Sequence, residues 1–340
     1  MAFPPLQRQY QLVVSGAGPA GLASVLAALH AGIPIEDILI LERRGSGDEG
    51  ANYPRRQRVV TLDSDSVEFL EDLGVRIPGT PMQEIIWEKP NGRRSFFPYR
   101  GAWRTGVSFL FGDRDLQVMT PLAELEKNLL NRIMVIAGED PIRYGKVLKW
   151  AQSENESSRA IYVGRNKVDA ETIVIAEGAN SVSTAQAGKQ RVREADATQF
   201  LTLDIPRPRG SDYLPGDVIT LFDKNEGYAV YAFYSDNAVS INMVLYETSV
   251  NELDRNHQLR RQYEQRLISV ANQFGFSVPP GSKTNIYQGQ MSMADSPITG
   301  NVVRVGDSVR TVDAASGTGT NSALMDAKAL LEYFKSRNEK

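Results

Sequence analysis

The chain of 340 residues contains no cysteine and only two histidines. The first absence excludes disulfides, thiolate metal sites, a cysteine nucleophile and a covalent cysteinyl link to a cofactor. The second leaves His30 and His257, far apart in sequence and on expected helix surfaces, which disfavours zinc chemistry and a Ser-His-Asp hydrolase. No run approaches the roughly 18 apolar residues of a membrane span. The N-terminal MAFPPLQRQY has no hydrophobic signal core, so a cytoplasmic location is the expectation. An excess of one charge is also lacking: 38 basic and 41 acidic residues leave a net charge of -3, which gives nucleic acid no footprint. Repeats, low-complexity tracts and a compositional linker are absent, so any second domain is expected to be inserted into the first.

What is present fits a soluble globular protein large enough for one big domain or two interlocked ones. A strand is expected at about 11–15, a helix at about 19–31 and a second strand, DILILE, at 37–42, which together make a βαβ unit. Helices are expected over DSDSVEFLEDLG, over 121–132 and over about 251–274. EIIWEKPNGRRSFFPY reads as a hairpin around NG. QFLTLDI, DVITLFD, GYAVYAFYS and AVSINMVLY, within 199–247, read as a strand meander. NVVRVGD reads as a late strand, SVRTVDAASGTGTN as a loop, and SALMDAKALLEYFKSR as a closing helix.

The turn between the first strand and helix, LVVSGAGPAGL, carries G-x-G-x-x-G at Gly16, Gly18 and Gly21, with Ala17, Pro19 and Ala20 between them. The first glycine makes the tight turn, the second admits a pyrophosphate to the backbone, and the third lets helix pack on strand. The exposed N–H groups of the helix start then hold the anion. Glu42 ends the second strand, 21 residues after Gly21, where an acid would bond a ribose 2′-hydroxyl and repel a 2′-phosphate. With the adjoining Arg43 it completes a candidate adenosine site suited to NAD or to the ADP half of FAD.

Residues 302–334, VVRVGDSVRTVDAASGTGTNSALMDAKALLEYF, form a second glycine-punctuated strand, loop and helix, with Asp307 at the strand end. FAD extends across a fold and requires a second helix start of this kind. The segment resembles the G-D motif of the class A flavoprotein monooxygenases, the para-hydroxybenzoate hydroxylase superfamily, in which G-D precedes P-x-x-G-x-G-x-N. That resemblance implies that Asp307 binds the ribityl chain and that Gly317, Thr318, Gly319, Thr320 and Asn321 run past the pyrimidine edge of the flavin. TIVIAEGANSVSTAQAG at 172–188 resembles the D-G motif, D-G-x-x-S-x-x-R. Here Glu177-Gly178 replaces Asp-Gly, and Ser183 and Thr184 stand near the place of the motif's arginine. RQRVVTLDSDSVEFLEDLG resembles the family's FAD-contacting stretch and implies that Arg56 lies near the pyrophosphate, with Arg55 and Arg58 as adjacent candidates. A further family arginine is replaced within QVMTPLAEL.

The resemblance spans nearly the whole chain. It implies an α/β fold with a Rossmann-like FAD-binding domain (1–80, 105–195 and 285–340) and an interlaced antiparallel β-sheet substrate domain (81–104 and 196–284). The chain ends soon after the closing helix, so the additional C-terminal domain of phenol hydroxylase-like relatives is not expected. The implied activity is an FAD-dependent monooxygenase acting with O2 on a small aromatic or natural-product-like substrate through a flavin C4a-hydroperoxide, with NAD(P)H as reductant. A flavin-dependent cyclase or reductase, a non-catalytic flavin-binding protein and an NAD dehydrogenase are the alternatives; a halogenase is disfavoured because W-x-W-x-I-P does not occur. Phe222, Tyr228, Tyr231, Phe233 and Tyr234 are candidates either for the sheet core or for an apolar substrate pocket. Trp87, Trp103 and Trp150 have the same standing.

Overall fold

The computed structural model describes residues 6–7, 9–44, 58–77, 79–89, 91–98, 117–146, 148–150, 161–178, 181, 183, 190–192, 198–207, 212–245, 253, 255–289, 292–294, 296–311 and 319–338. Arg55, Arg56, Trp103, Thr184, Gly317 and Thr318 lie outside them.

The expected βαβ unit forms as strand β1 (Gln9–Ser15), helix α1 (Pro19–His30) and strand β2 (Ile38–Glu42). Strand β1 is central in a mostly parallel sheet, paired on one side to β2 and on the other to β11 (Asn166–Ile175). Strand β20 (Val302–Arg304), edged by β19 (Ile298–Thr299), extends the sheet beyond β11, and β8 (Ile142–Tyr144) extends it beyond β2. Strands β10 (Ile161–Val163) and β9 (Leu148–Trp150) follow antiparallel from the start of β11, while β4 (Thr80–Pro81) pairs with residues 118–119 and β12 (Gln190–Val192) with β18 (Ser292–Ala294). Because β1 is sandwiched, its alternate residues enter two different cores. Leu12 and Val14 pack with α1, with α3 (Leu122–Ala137) and with α5 (Gly319–Asn338). Val13 packs on the opposite face with Leu39, Ile173 and Leu148. Full burial of each of these leucines and isoleucines contributes roughly 1.5–3 kcal/mol, which explains a strand apolar on both faces.

Helix ends follow local chemistry. Asp63 caps α2 (Ser64–Asp72) by accepting from the Ser66 N–H at 2.9 Å. Helix α3 stops at Gly138, which adopts φ +80°, a left-handed conformation that glycine reaches without steric cost.

A second, mainly antiparallel sheet holds β17 (Thr284–Gly289), β13 (Thr198–Pro206), β16 (Ala238–Leu245), β15 (Tyr228–Tyr234), β14 (Val218–Asp223), β5 (Glu84–Glu88) and β6 (Arg94–Pro98), in that order. Helix α4 (His257–Gln273) covers one face, setting Leu267, Val270 and Ala271 against Leu201, Leu203, Val230 and Ile241. The opposite face meets β3 (Val59–Leu62) and β7 (Val118–Pro121): Val59 and Met119 pack with Val218, Ile85 and Phe233. Leu62 and Val118 of the same two strands enter the core beside α1, so β3 and β7 join this sheet to the nucleotide side.

The pleat divides the expected aromatics. Tyr228 and Tyr234 are 3% and 2% exposed and belong to the core under α4. Tyr231 and Phe233 point the other way, as does Phe222, 44% exposed. Trp87, Phe222 and Tyr231 form a ladder there, with ring centroids 5.6 and 5.8 Å apart.

Candidate functional site

Three glycine turns from distant parts of the chain meet at the start of α1. Gly16 has φ +106°, and a Cβ there would stand 2.3 Å from the carbonyl oxygen of Ala176, at the end of β11. At Gly21 a Cβ would stand 1.9 Å from the Gly16 carbonyl oxygen. Gly306 opens a short 3-10 turn, Gly306–Ser308, in which a Cβ would press on Ala20 and Ala323 at 3.1 and 3.2 Å. Ser308 Oγ accepts from the Gly178 N–H at 3.0 Å, joining the late turn to the middle one. Asp326 of α5 accepts from the Gly306 N–H at 2.8 Å and anchors that turn from behind.

Gly18 differs from these glycines. It is the N-cap of α1 in extended conformation, and a Cβ there would meet nothing within 4 Å. Packing inside the protein therefore does not demand a glycine at this position. The helix has no side-chain cap and no acid in its first turn. Open space thus lies beside a bare, electropositive helix start, the arrangement that suits a pyrophosphate.

Glu42 is buried at the C-terminal end of β2 and fixes the turn by accepting from the Ala17 N–H at 2.9 Å. Its other partners all come from Arg44: the backbone N–H at 3.0 Å, Nε at 2.8 Å and Nη2 at 2.9 Å. Burial pushes the Glu42 carboxyl upward, but the Arg44 side chain and the two N–H groups outweigh it and hold it below the usual range. Arg43 is exposed at the strand end. Arg44, overlooked in the sequence, is the cation that meets Glu42; the run ERR does not reveal which arginine turns back.

Glu177 is enclosed by the chain's own donors. Ser15 Oγ at 2.5 Å and Ser183 Oγ at 2.6 Å donate to Oε1, while Ser181 Oγ at 2.9 Å and the Ser183 N–H at 3.2 Å donate to Oε2. The longer acid in place of the motif's aspartate thus reaches the end of β1 and ties Ser181 and Ser183 to it.

Asp307 is solvent-exposed in the Gly306–Ser308 turn. Desolvation by the surrounding protein raises its carboxyl, and the positive charge of Arg58 opposes the shift. Arg58 also acts on Glu126 of α3, which burial drives to about 7, and on Asp204 of the antiparallel sheet. Of the adjacent arginine candidates, Arg58 is the one described, half-buried just before β3 and in electrostatic reach of Asp307, Glu126 and Asp204. Gly319, Thr320 and Asn321 lie in the first turn of α5 and not in the expected loop. Asn321 is buried there, and its Oδ1 accepts from the Asp63 N–H at 3.2 Å, which ties the start of α5 to the cap of α2. Among the described residues no group of acids or histidines could hold a metal ion, and no helix is long and apolar enough to cross a membrane.

The open space at Gly18, the bare helix start and the second turn at Asp307 fit an extended dinucleotide such as FAD. The comparisons agree. The family of the FAD binding domain matches residues 9–335, and the chain belongs to that family, the para-hydroxybenzoate hydroxylase-like class A flavoprotein monooxygenases. It is a family of FAD-dependent oxidoreductases in which NAD(P)H is the usual reductant. None of the curated proteins compared matches the sequence.

Among solved structures, the chain resembles PqsL of Pseudomonas aeruginosa, described as a probable FAD-dependent monooxygenase. The TM-score is 0.71 at 14% identity, over 98% of this chain and 87% of that one. PqsL has also been solved in complex with 2-aminobenzoylacetate. A flavoprotein/dehydrogenase from Cytophaga hutchinsonii matches with a TM-score of 0.71 at 14% identity, over 96% and 79% of the two chains. The flavin-dependent brominase Bmp2 matches with a TM-score of 0.69 at 13% identity, over 96% and 79%. The fold is therefore shared by flavoproteins of more than one chemistry.

Proposed function

We propose that the protein is an FAD-dependent monooxygenase that takes electrons from NAD(P)H and acts on a small aromatic or natural-product-like substrate held against the antiparallel sheet. The observation that carries this reading is the convergence of three glycine turns on the uncapped start of α1. Bound FAD would supply the activation of O2 and the transfer of one oxygen atom to an electron-rich ring.

The chain's own residues do the rest. The N–H groups at the start of α1 hold the pyrophosphate, with Arg56 or Arg58 as its cation. Glu42 with Arg43 and Arg44 forms the ribose end. Asp307 takes the ribityl hydroxyls, and the segment 317–321 lies along the pyrimidine edge. The aromatic face of the sheet orients the substrate and excludes water from the reacting centre. That PqsL binds an aminobenzoyl compound supports the aromatic substrate class.

The purified protein should be yellow, and substrate should accelerate NAD(P)H oxidation with matching oxygen uptake. A second reading, a cyclase or reductase that inserts no oxygen, is favoured by one observation: Glu177 and its serines have replaced the usual Asp and Arg of the middle motif. Turnover under anaerobic conditions without oxygen consumption would select it.

A further inference from the structure

Directly paired residues of neighbouring antiparallel strands point to the same side of a sheet. One row on the face opposite α4 runs Phe233, Ser240, Asp204; the next runs Tyr231, Asn242, Thr202, Asn285. Phe233 packs with Val59 and Met119, so this face looks toward the nucleotide side. In the first row Ser240 Oγ donates to Asp204 Oδ1 at 2.6 Å, while Asp204 Oδ2 is buried with no hydrogen-bond partner among the described residues. In the second, Thr202 Oγ1 donates to Asn242 Oδ1 at 3.1 Å, while Asn285 Nδ2 is buried and equally unmatched.

Buried polar atoms without partners destabilise a fold, and an apolar side chain of similar size at either position would carry no such penalty. The two residues are diagonal neighbours across β13 and β17, a spacing of roughly 7–8 Å. They offer complementary halves of a hydrogen-bonding pair, a carboxylate acceptor and an amide donor. Arg58 acts on both Asp204 and Asp307, which sets the pair within electrostatic range of the late glycine turn.

We infer that Asp204 and Asn285 form a substrate-recognition pair that takes a planar ring carrying a hydroxyl or amino donor next to a carbonyl acceptor. The inference rests on the reading of this face as the substrate side of a flavoenzyme. Asp204 accepts from the ring donor, and Asn285 donates to the carbonyl. Burial brings the Asp204 carboxyl up to about 6, against Ser240 and Arg58, and leaves it largely ionised and able to accept at neutral pH. A hydroxyl or amine held by a carboxylate is more electron-releasing toward its ring, which favours attack by an electrophilic oxygen at the adjacent carbons.

The test is calorimetric titration of the protein as purified, flavin content having been measured first, with 2-hydroxybenzamide and with its apolar shape-mate 2-isopropyltoluene. The expected result is at least tenfold tighter binding of 2-hydroxybenzamide. Asp204→Leu and Asn285→Leu should each reduce that preference below threefold, keep the wild-type flavin content and melt no lower than wild type. If one of the leucine variants does not fold, Asp204→Asn, which replaces one acceptor oxygen by a donor at constant shape, must show the same loss. Absence of a preference in the wild type, or a preference untouched by the substitutions, overturns the pair. Lower melting points in both leucine variants, which would mark the groups as structural, overturn it too. A protein that retains no FAD overturns the proposed function instead, while the two titrations still decide the pair.

Discussion

Two pairs of polar residues are treated in opposite ways. Beside the glycine turns Glu42 accepts four hydrogen bonds from Ala17 and Arg44, and Glu177 accepts four from Ser15, Ser181 and Ser183. On the sheet side Asp204 and Asn285 each leave a buried atom unmatched. Glu42 and Glu177 pin the turns that frame the nucleotide side. The unmatched side retains hydrogen-bonding capacity for a ligand. A frame common to a family and a face particular to one chain is the division expected when one fold serves several chemistries.

If the frame is as tightly determined as its contacts indicate, the largest effect belongs to the glycines that touch protein. Gly21→Val places a Cβ within 1.9 Å of the Gly16 carbonyl oxygen and must displace backbone. It should cost at least about 3 kcal/mol, seen as a loss of folded protein in thermal melts followed by circular dichroism. Glu177→Ala comes next, because it strips the partner from three serines at once. A loss of about 2–3 kcal/mol is expected in urea denaturation, with Glu177→Gln intermediate.

The sheet side should respond to pH in its own way. The folded pKa of Asp204, about 6, lies above the ordinary 3.8, so between those values the native state binds the proton more tightly than the unfolded chain. Wild-type stability should therefore fall, relative to Asp204→Asn, as pH rises from about 4 to about 7, by about 2 kcal/mol. Denaturation curves of the two proteins at several pH values read this directly, and parallel pH profiles would remove the distinction between the two sides. The smallest effect is at Asp307, exposed in the Gly306–Ser308 turn. Asp307→Ala should leave the apoprotein's melting point in place and weaken FAD binding about tenfold, or about 1.4 kcal/mol, in a flavin titration.

Much of the frame was legible because it rests on local pattern. LVVSGAGPAGL followed by DILILE specifies strand, turn, helix and strand through apolar runs and glycine spacing, and those elements form at Gln9–Ser15, Pro19–His30 and Ile38–Glu42. The meander was legible for the same reason. What escaped the sequence depends on contacts between distant residues. Ser15 and Glu177 are 162 positions apart, and nothing in either segment shows that one carboxylate will gather three serines. Asp326 reads as one more polar residue of an amphipathic helix until Gly306 is seen to lean on it. Alternation along GYAVYAFYS shows that Tyr228 and Tyr231 part company, but only α4 packing on one face decides which of them is buried. The unmatched atoms of Asp204 and Asn285 are the extreme case, since a missing partner has no sequence signature.

On this reading Gly18 lacks a side chain for the sake of a ligand, whereas Gly16 and Gly21 lack one for the sake of the fold. Gly18→Val tests it through two numbers from one preparation, the FAD-to-protein ratio from the visible spectrum and the melting point of the apoprotein. The expected result is a colourless protein that melts within a few degrees of the wild-type apoprotein. A yellow Gly18→Val protein with wild-type flavin occupancy would contradict it.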